Sequence, residues 1–212
     1  MGKVRLSMAI SLDGYVAGPN PSIEAPLGEG GMQLHEWAFA LEAWRRPHGL
    51  DGGEENESTP VVEESLANIG AYLMGRNMFG GGPGPWGVDA WNGWWGDDPP
   101  YRVPVFVLTH HEREPLAMNG GTTFMFVTDG IEPALDRARA AAEDRDVVIA
   151  GGASLVQQYL AAGLLDQLTL SVVPVLLGGG TRFFADGQAA ELEQIGAVEA
   201  PGVTHLRYRV RR

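Results

Sequence analysis

The sequence predicts an α/β fold built on a mostly parallel sheet, with antiparallel strands at one edge. Short β-type segments alternate with helical segments along most of the chain, and this order produces parallel strands joined by crossover helices. The segment 103–109 (VPVFVLT) is apolar and rich in β-branched residues, as expected of a strand covered on both faces. Two consecutive β segments end the chain and predict an antiparallel pair.

The first half of the chain begins with a strand and continues with helices. A strand over Val4–Leu12 alternates in polarity and ends at the turn signal Asp13-Gly14. Leucines and tryptophans at spacings of three and four predict an amphipathic helix over Met32–Arg46. A second helix is expected over Val61–Ile69, with Pro60 at its first position.

The second half supplies most of the predicted sheet. Strands are expected at 71–74, 103–109, 123–128, 146–150, 168–175, 190–198 and 203–210, and helices at 133–143 and 153–162. Two stretches interrupt this pattern: the acidic segment 47–60, predicted to be a mobile insertion, and the turn-rich segment 80–100 with its four tryptophans. No internal repeat is visible, so a single domain over residues 1–212 is expected.

Composition limits the classes of function. With 212 residues, 44% of them hydrophobic, the chain can bury a sizeable core. A net charge of -12 argues against a nucleic-acid partner, and no apolar run approaches membrane-spanning length. Cysteine is absent, which excludes thiolate metal sites, and no other metal constellation is apparent. Asp13 interrupts the N-terminal apolar stretch too early for a signal peptide, so a cytoplasmic protein is expected.

Two adjacent glycines between a strand and a helix are the first feature that indicates a ligand. In the segment 147–160 (VVIAGGASLVQQYL) the apolar run stops at Gly151 and Gly152, and helical spacing resumes at once. Glycine lets a ligand approach the backbone closely, and the helix N-terminus beyond it, with Ser154 in its first turn, offers N–H groups to a pyrophosphate. The spacing matches neither a Rossmann nor a Walker loop. On the glycine pair alone, a plain strand-to-helix turn is the simpler interpretation.

Two further strand ends carry polar groups. Arg76 follows the strand at 71–74, at the carboxyl end where open α/β sheets bind ligands, and a guanidinium there can grip a phosphate. Thr109 and His110 end another strand and offer a second phosphate contact. A surface arginine and solvated histidines are the alternative interpretations. Taken together and in this order, the three features indicate one anion-rich ligand.

These segments resemble the dihydrofolate-reductase-like superfamily, and within it most closely the reductase domain of bacterial riboflavin-biosynthesis deaminase/reductases and their free-standing relatives. The matching motifs are SLDGYVA at 11–17, LMGRN at 73–77, IAGGASL at 149–155 and LDQLTLSVVPVLLGGGTRFF at 165–184. The resemblance spans Val4–Val210 apart from the acidic insertion. It implies a three-layer, dihydrofolate-reductase-like α/β fold and a nicotinamide cofactor, normally NADPH, with NADH not excluded.

The resemblance also implies which residues bind that cofactor. The nicotinamide would be flanked by Ala9, Ile10, Val16 and Ala17, and the pyrophosphate would rest on Gly151, Gly152, Ala153, Ser154 and Leu155. The adenosine ribose phosphate would be surrounded by Gly75, Arg76, Asn77, Met78, Leu108, Thr109 and His110. At Met78 the family often has Thr or Ser, whose hydroxyl helps to hold phosphate. The Leu-Pro-Trp segment of true dihydrofolate reductases is missing, although Glu36 and Glu42 are available as helix carboxylates.

Hydride transfer requires alignment of cofactor and substrate, exclusion of water and, where the product needs it, a proton. Asp13, at the end of the first strand, is predicted as the catalytic acid or the substrate anchor; the alternative is that Asp13-Gly14 is only a turn pair. The tryptophans of segment 80–100 can form a lid over a flat heterocycle, with Trp95 as a substrate contact. Packing of a long loop is the alternative.

Three functions are carried forward. The first is an NADPH-dependent reductase of a small heterocyclic substrate, similar to 5-amino-6-(5-phosphoribosylamino)uracil reductase of riboflavin biosynthesis. The second is a dihydrofolate or pterin reductase, which requires a helix carboxylate facing the nicotinamide. The third is a non-catalytic nucleotide-binding or interaction protein on the same fold. The resemblance further implies a homodimer, and neither a nucleic-acid nor a membrane partner is expected.

Overall fold

The computed structural model describes residues 2–87 and 91–211. Its strands are β1 (Val4–Ser11), β2 (Tyr15–Ala17), β3 (Ile69–Gly75), β4 (Pro104–Leu108), β5 (Leu116–Ala117), β6 (Thr123–Val127), β7 (Asp146–Gly151), β8 (Gln167–Val173), β9 (Thr181–Arg182), β10 (Leu192–Ala200) and β11 (Val203–Val210). Its helices are α1 (Glu36–Phe39), α2 (Glu42–Arg45), α3 (Thr59–Leu66), α4 (Arg76–Phe79), α5 (Ile131–Ala142) and α6 (Ala153–Ala161).

These elements form two compact units. One unit, called the parallel unit below, consists of the residues through Arg5 together with Asn68–Leu164. The other, called the antiparallel unit, consists of Leu6–Ala67 together with the residues from Leu165 onward. The expectation of a single domain stays a prediction.

The parallel unit is built on strands in the order β7-β3-β4-β6-β5. The pairs β3–β7, β3–β4 and β4–β6 are parallel, and only β5 runs antiparallel to its neighbour β6. Helix α5 packs against β3, β4 and β7, and α6 packs against β3 and β7. Val105, Phe106 and Val107 are buried in succession, which confirms that β4 is covered on both faces.

The antiparallel unit has strands in the order β10-β11-β8-β1 and a separate pair, β2 with β9. β10 and β11 form the predicted antiparallel pair, and β11 also runs antiparallel to β8, with His205 opposite Ser171. The predicted fold class is therefore confirmed: the chain is mixed α/β, with a large, mostly parallel sheet and additional antiparallel strands. Most predicted strands differ from the observed ones by only one or two residues at their ends.

The prediction of one continuous helix over Met32–Arg46 is wrong. A 3₁₀ turn at Gly31–Leu34, the single-turn helices α1 and α2, and a second 3₁₀ turn at Arg46–His48 stand in its place. Leu41 is extended because its neighbours pair with Glu54, whose N–H donates to Ala40 O at 2.7 Å and whose carbonyl accepts from Glu42 N at 3.0 Å. This long-range pairing overrides the helical periodicity, although Leu34 and Leu41 are fully buried as the spacing predicts.

The acidic segment 47–60 is attached to the antiparallel unit through several contacts. The Arg45 guanidinium donates to the carbonyls of Asp51 and Gly52, with Nε–O distances of 3.2 and 3.0 Å. Near the other end of the segment, Ser58 is buried, and its Oγ lies 2.8 Å from Nε2 of His205. The predicted mobility of this segment stays a prediction, and these contacts show where it is held.

Candidate active site

The carboxyl edge of the parallel strands collects the three features that the sequence indicated. Met74 in β3 is in register with Gly151 in β7, and Gly75 is in register with Leu108 in β4. Parallel strands end at the same edge of a sheet, so the segments 151–155, 75–78 and 108–110 meet there. The structure thus brings together, within the parallel unit, every residue predicted to bind the pyrophosphate and the adenosine end of the cofactor.

The glycine turn at this edge is open. An added Cβ at Gly152 would meet no atom of the described residues within 4 Å. Gly151 has a φ of 132°, which favours glycine, and the peptide bond between the two glycines is cis. Helix α6 starts immediately afterwards, with Leu155 N and Val156 N donating to Gly152 O at 3.0 and 3.2 Å. The N–H groups before these lack intrahelical acceptors, so the turn can bind an anion through its backbone.

Gly75 makes the close approach of the two strand ends possible. A Cβ at this position would lie 3.3 Å from Gly152 N and 3.6 Å from both Gly151 O and Leu155 Cβ. The backbone of β3 is thereby pressed against the glycine turn. Within the first turn of α6, Ala153 and Leu155 are buried, whereas Ser154 is exposed and available to a ligand.

Arg76 is the first residue of α4, and its guanidinium is covered by Trp86. Its Cζ lies 3.1 Å from the centroid of the Trp86 ring, and Nη2 donates to the carbonyls of Gly81 and Gly82 at 3.2 and 2.9 Å. Nε and Nη1 are buried and have no hydrogen-bond partner in the described part of the chain. Burial, and secondarily the charge of Arg113, lowers the pKa of Arg76. Trp86 therefore shields the guanidinium that was predicted to bind a phosphate, and that binding role stays a prediction.

The remaining residues of these two segments differ in accessibility. Asn77 and His110 are exposed, whereas Met78 packs against the hydrophobic cluster around Phe79. Thr109 is buried; its N–H donates to Val127 O at 3.0 Å, and its Oγ1 accepts from His111 N at 3.2 Å. The Thr109 hydroxyl proton remains available for a ligand, but Met78 offers no polar group.

The tryptophans of segment 80–100 satisfy backbone carbonyls. Nε1 of Trp91 donates to Phe79 O at 2.8 Å, and Nε1 of Trp94 donates to Met78 O at 2.9 Å. These carbonyls end α4, where helical acceptors lack partners. Trp95 packs against Tyr101 and Phe124, with ring centroids 5.0 and 6.1 Å away. The structure thus shows the loop-packing alternative, and the substrate contact at Trp95 stays a prediction.

Arg113 is a cation at this edge that the sequence reasoning missed. Its Nη1 donates to Trp91 O at 2.5 Å, its Nη2 donates to Asn92 Oδ1 at 2.7 Å, and its Cζ lies 4.7 Å from the centroid of the Trp86 ring. Burial lowers the pKa of Arg113. Its position shortly after β4 was a signal that could have identified it, because Thr109 and His110 were selected for following the same strand.

An open cavity of about 490 Å³ lies beside Arg113, at the end of β6. Its charged lining residues are Glu112, Arg113, Glu114, Asp129 and Arg137. Three carboxylates against two guanidiniums make this cavity a poor site for a phosphate. The candidate anion-binding groups of the parallel unit therefore remain those at the glycine turn and at Arg76.

In the antiparallel unit, Asp13 is bound by its own chain. Its Oδ1 accepts from Ser11 Oγ at 2.6 Å and from Leu177 N at 3.1 Å, and its Oδ2 accepts from Gly178 N at 2.7 Å. The Ser11 hydrogen bond, supported by the two backbone N–H groups, lowers the pKa of Asp13. A general acid needs a pKa near the working pH, so these contacts favour an anchoring role over proton donation.

The residues predicted to flank the nicotinamide also lie in the antiparallel unit. Ala9 and Ile10 are buried in β1, Val16 is buried in β2, and Ala17 is half-buried opposite Thr181 of β9. Among residues 2–87 and 91–211, no group of three or more His, Asp or Glu side chains is placed to hold a metal ion. No helix within these ranges is long and apolar enough to cross a membrane.

Comparison with known proteins shows the family. Residues 2–206 match the model of the RibD C-terminal domain. The chain is 22% identical to the uncharacterized protein YyaP of Bacillus subtilis over 190 residues, which are 87% of this chain and 81% of that protein.

Two solved structures have a similar fold. The diaminohydroxyphosphoribosylaminopyrimidine deaminase/5-amino-6-(5-phosphoribosylamino)uracil reductase of Thermotoga maritima matches with a TM-score of 0.57 and 13% identity, over 99% of this chain and 57% of that one. Dihydrofolate reductase from Enterococcus faecalis, complexed with NADP(H), matches with a TM-score of 0.55 and 16% identity, over 100% of this chain and 98% of that one. With the glycine turn and the strand-end residues in place and nearly the whole sequence matched, the chain belongs to the RibD C-terminal domain family.

Proposed function

We propose that this protein is a nicotinamide-dependent reductase of a small heterocyclic substrate, similar to 5-amino-6-(5-phosphoribosylamino)uracil reductase. The observation that carries the proposal is the open glycine turn at Gly152, which lies at the N-terminus of α6 on the ligand-binding edge of a parallel sheet. An open turn favours a dinucleotide-binding protein over a purely interacting one on the same fold. Family membership and the reductases among the structural neighbours support the same class of reaction.

The chain's own residues would hold the cofactor by its phosphates. The diphosphate rests on the backbone of segment 151–155, where N–H groups and the helix dipole favour negative charge. The adenosine end lies along segments 75–78 and 108–110 of the parallel unit. That Ala9, Ile10, Val16 and Ala17 flank the nicotinamide stays a prediction from the resemblance. The bound cofactor, NADPH or NADH, supplies the hydride, and the protein supplies alignment and exclusion of water.

In this proposal Asp13 supports substrate binding indirectly, as an anchor of its own turn, and is not the proton donor. Its carboxylate keeps its charge and fixes the glycine-rich segment that begins at Leu177. Catalysis of this kind rests on positioning, so a rigid turn after β1 is useful to the reaction without a proton transfer at Asp13. A homodimer, a cytoplasmic location and a single reductase domain complete the proposal.

A pterin or folate reductase has less support. The helix that would carry its carboxylate is replaced by short turns, with Glu36 exposed on α1 and Glu42 at the start of α2. We therefore place the substrate with the ribosylaminopyrimidines named in the T. maritima relative rather than with folates.

Ser154 provides a test that separates binding from folding. Ser154→Glu adds a negative charge to the first turn of α6, where it should stabilise the helix and repel a diphosphate. We expect the affinity for NADPH and NADH, measured by isothermal titration calorimetry, to fall at least about tenfold, because like charges about 4 Å apart repel by about 1 kcal/mol in water and by about 4 kcal/mol near a protein surface. Ser154→Gln has the same size without the charge and should change the affinity far less.

Comparison of the two variants tests whether the diphosphate lies at the N-terminus of α6. Equal dissociation constants for Ser154→Glu and Ser154→Gln, with both proteins folded, would show that the diphosphate does not lie at α6. No binding of either dinucleotide to the unsubstituted protein would refute the reductase proposal itself.

A further inference from the structure

Trp86 covers one face of the Arg76 guanidinium, which the sequence analysis predicted to bind a phosphate. The ring lies 3.1 Å from Arg76 Cζ, and the carbonyls of Gly81 and Gly82 already accept from Nη2. The two other nitrogens, Nε and Nη1, are buried without a partner in the described part of the chain. Buried N–H groups that lack acceptors are uncommon in native proteins and require an explanation.

Trp86 is held in this position by contacts of its own. Its Nε1 donates to His111 O at 3.0 Å, and its ring packs edge-on against Phe79 and Phe126, with centroids 5.8 and 5.1 Å away. The Arg113 guanidinium contacts the same ring. Nε and Nη1 of Arg76 are buried in this arrangement, so a phosphate reaches them only after the surroundings of Arg76 rearrange, and displacing the stacked indole gives up these contacts.

We infer that Trp86 is a specificity-determining residue of the proposed reductase, which lowers its preference for the dinucleotide that carries a 2′-phosphate. This inference rests on the proposed function. A dinucleotide without the 2′-phosphate needs only the open backbone at Gly152. One with the 2′-phosphate gains the charge of Arg76 but must first displace Trp86, and the lost cation–π contact and hydrogen bond offset that gain.

Neither Met78 nor Arg113 replaces the covered guanidinium. Met78 packs into the hydrophobic cluster and has no hydroxyl to offer. Arg113 uses Nη1 and Nη2 for Trp91 O and Asn92 Oδ1. The contribution of the 2′-phosphate to binding therefore depends on whether Trp86 leaves Arg76.

Dissociation constants for NADPH and NADH, measured by calorimetry, test the inference. Trp86→Ala should shift the ratio of the two constants toward NADPH by about tenfold, the factor that corresponds to the loss of one desolvated cation–π contact of about 1.4 kcal/mol. Trp86→Phe retains a ring over Arg76 and should shift the ratio less. Adding Arg76→Gln to Trp86→Ala should remove the gain, because the gain passes through Arg76.

Arginine labelling gives a second reading that needs no dinucleotide. Phenylglyoxal should modify Arg76 slowly in the unsubstituted protein and rapidly in Trp86→Ala, with Arg46, whose side chain is 68% exposed, as the internal reference. Peptide mass spectrometry identifies the modified residue. Labelling of Arg76 as fast as Arg46 in the unsubstituted protein would overturn the inference.

The outcomes separate the two proposals. If both dinucleotides bind and Trp86→Ala leaves their ratio unchanged or shifts it toward NADH, the role of Trp86 is refuted while the reductase proposal stands. If neither dinucleotide binds the unsubstituted protein, both proposals fail. Trp86→Phe keeps the test valid should Trp86→Ala not fold.

Discussion

The polar groups at the glycine turn and at Arg76 in the parallel unit differ from Asp13 and His205 in the antiparallel unit. In the parallel unit, the backbone at Gly152 faces open space, and Nε and Nη1 of Arg76 are buried without a partner among the described residues. In the antiparallel unit, the carboxylate of Asp13 accepts three hydrogen bonds. His205, fully buried there, has a serine hydroxyl within 2.9 Å of each ring nitrogen.

This difference separates polar groups that can bind a ligand from polar groups that stabilise the fold. A polar group that is satisfied by its own chain contributes to stability, and its removal leaves its partners unpaired. A backbone N–H that faces open space, as at Gly152, contributes little to folding and is available to a ligand. Substitutions at the open edge of the parallel unit should therefore change binding, whereas those at the satisfied groups of the antiparallel unit should change stability.

His205 offers the largest test of this contrast. Burial lowers its pKa from 6.5 to about 4, so the unfolded chain takes up a proton at a higher pH than the folded protein does. The stability from neutral His205 is complete above pH 6.5 and is lost as the pH falls toward 4, by about 3 kcal/mol in total. Urea unfolding at several pH values between 7.5 and 4 measures this loss.

His205→Asn removes the titration while keeping a polar group near Ser58 and Ser171. Between pH 7.5 and 4, the free energy of unfolding should fall by about 3 kcal/mol more for the unsubstituted protein than for His205→Asn. His48→Asn, at an exposed histidine that stacks on Trp44, is the matched control and should retain the steep dependence. Parallel curves for the unsubstituted protein and His205→Asn would contradict the assignment.

Gly75 tests the open edge of the parallel unit. A Cβ there lies 3.3 Å from Gly152 N, and the branched side chain of Gly75→Val would push into the glycine turn. We expect dinucleotide affinity, measured by calorimetry, to fall about a hundredfold, since misplacement of binding groups by about 1 Å has effects of this order. Gly75→Ala, which requires a shift of only a few tenths of an ångström, should give a much smaller loss.

Gly70, on the same strand, is the control for Gly75. A Cβ at Gly70 would lie 2.5 Å from Ala142 Cα, inside the packing of α5 on the sheet. Gly70→Ala should therefore lower the thermal midpoint of unfolding without changing the affinity of the folded protein. If both variants lose affinity only to the extent that they lose stability, Gly75 does not lie at a ligand-binding edge.

The sequence predicted the parallel unit well because its signals are local. The buried run of β4 and the glycines that end β7 each follow from a few adjacent residues, and the strands around them were predicted nearly to their ends. The helix over Met32–Arg46 failed because Leu41 is held extended by pairing of its neighbours with Glu54, thirteen positions away. Periodicity reports which residues are buried, and it cannot report a competing backbone partner.

The geometry of the candidate site was predictable to the same degree, while its ligand stays a prediction. Backbone groups at Gly151–Gly152 depend only on the strand-to-helix turn, so the sequence located them. The surroundings of Arg76 depend on Trp86, and those of Asp13 depend on Leu177 and Gly178, which lie 164 and 165 positions away. A side chain's availability to a ligand is set by such partners, and the sequence does not reveal them.

Asp13 provides the last and smallest test, because its carboxylate was predicted as the catalytic acid or the substrate anchor and is bound by its own chain. Asp13→Asn removes the negative charge and turns an amide NH₂ toward the N–H groups of Leu177 or Gly178, so the turn after β1 should loosen. The thermal midpoint should fall, and the affinity for NADPH should change by less than about twofold, the scale of a contact outside the binding groups. Stability should also depend on pH at this residue, because the pKa of Asp13 is lower in the folded protein than in the unfolded chain. The stabilisation by Asp13 is present above pH 3.8 and is lost as the pH falls through the folded-state pKa. If Asp13→Asn keeps the thermal midpoint but loses affinity for NADPH, Asp13 belongs to the ligand site instead.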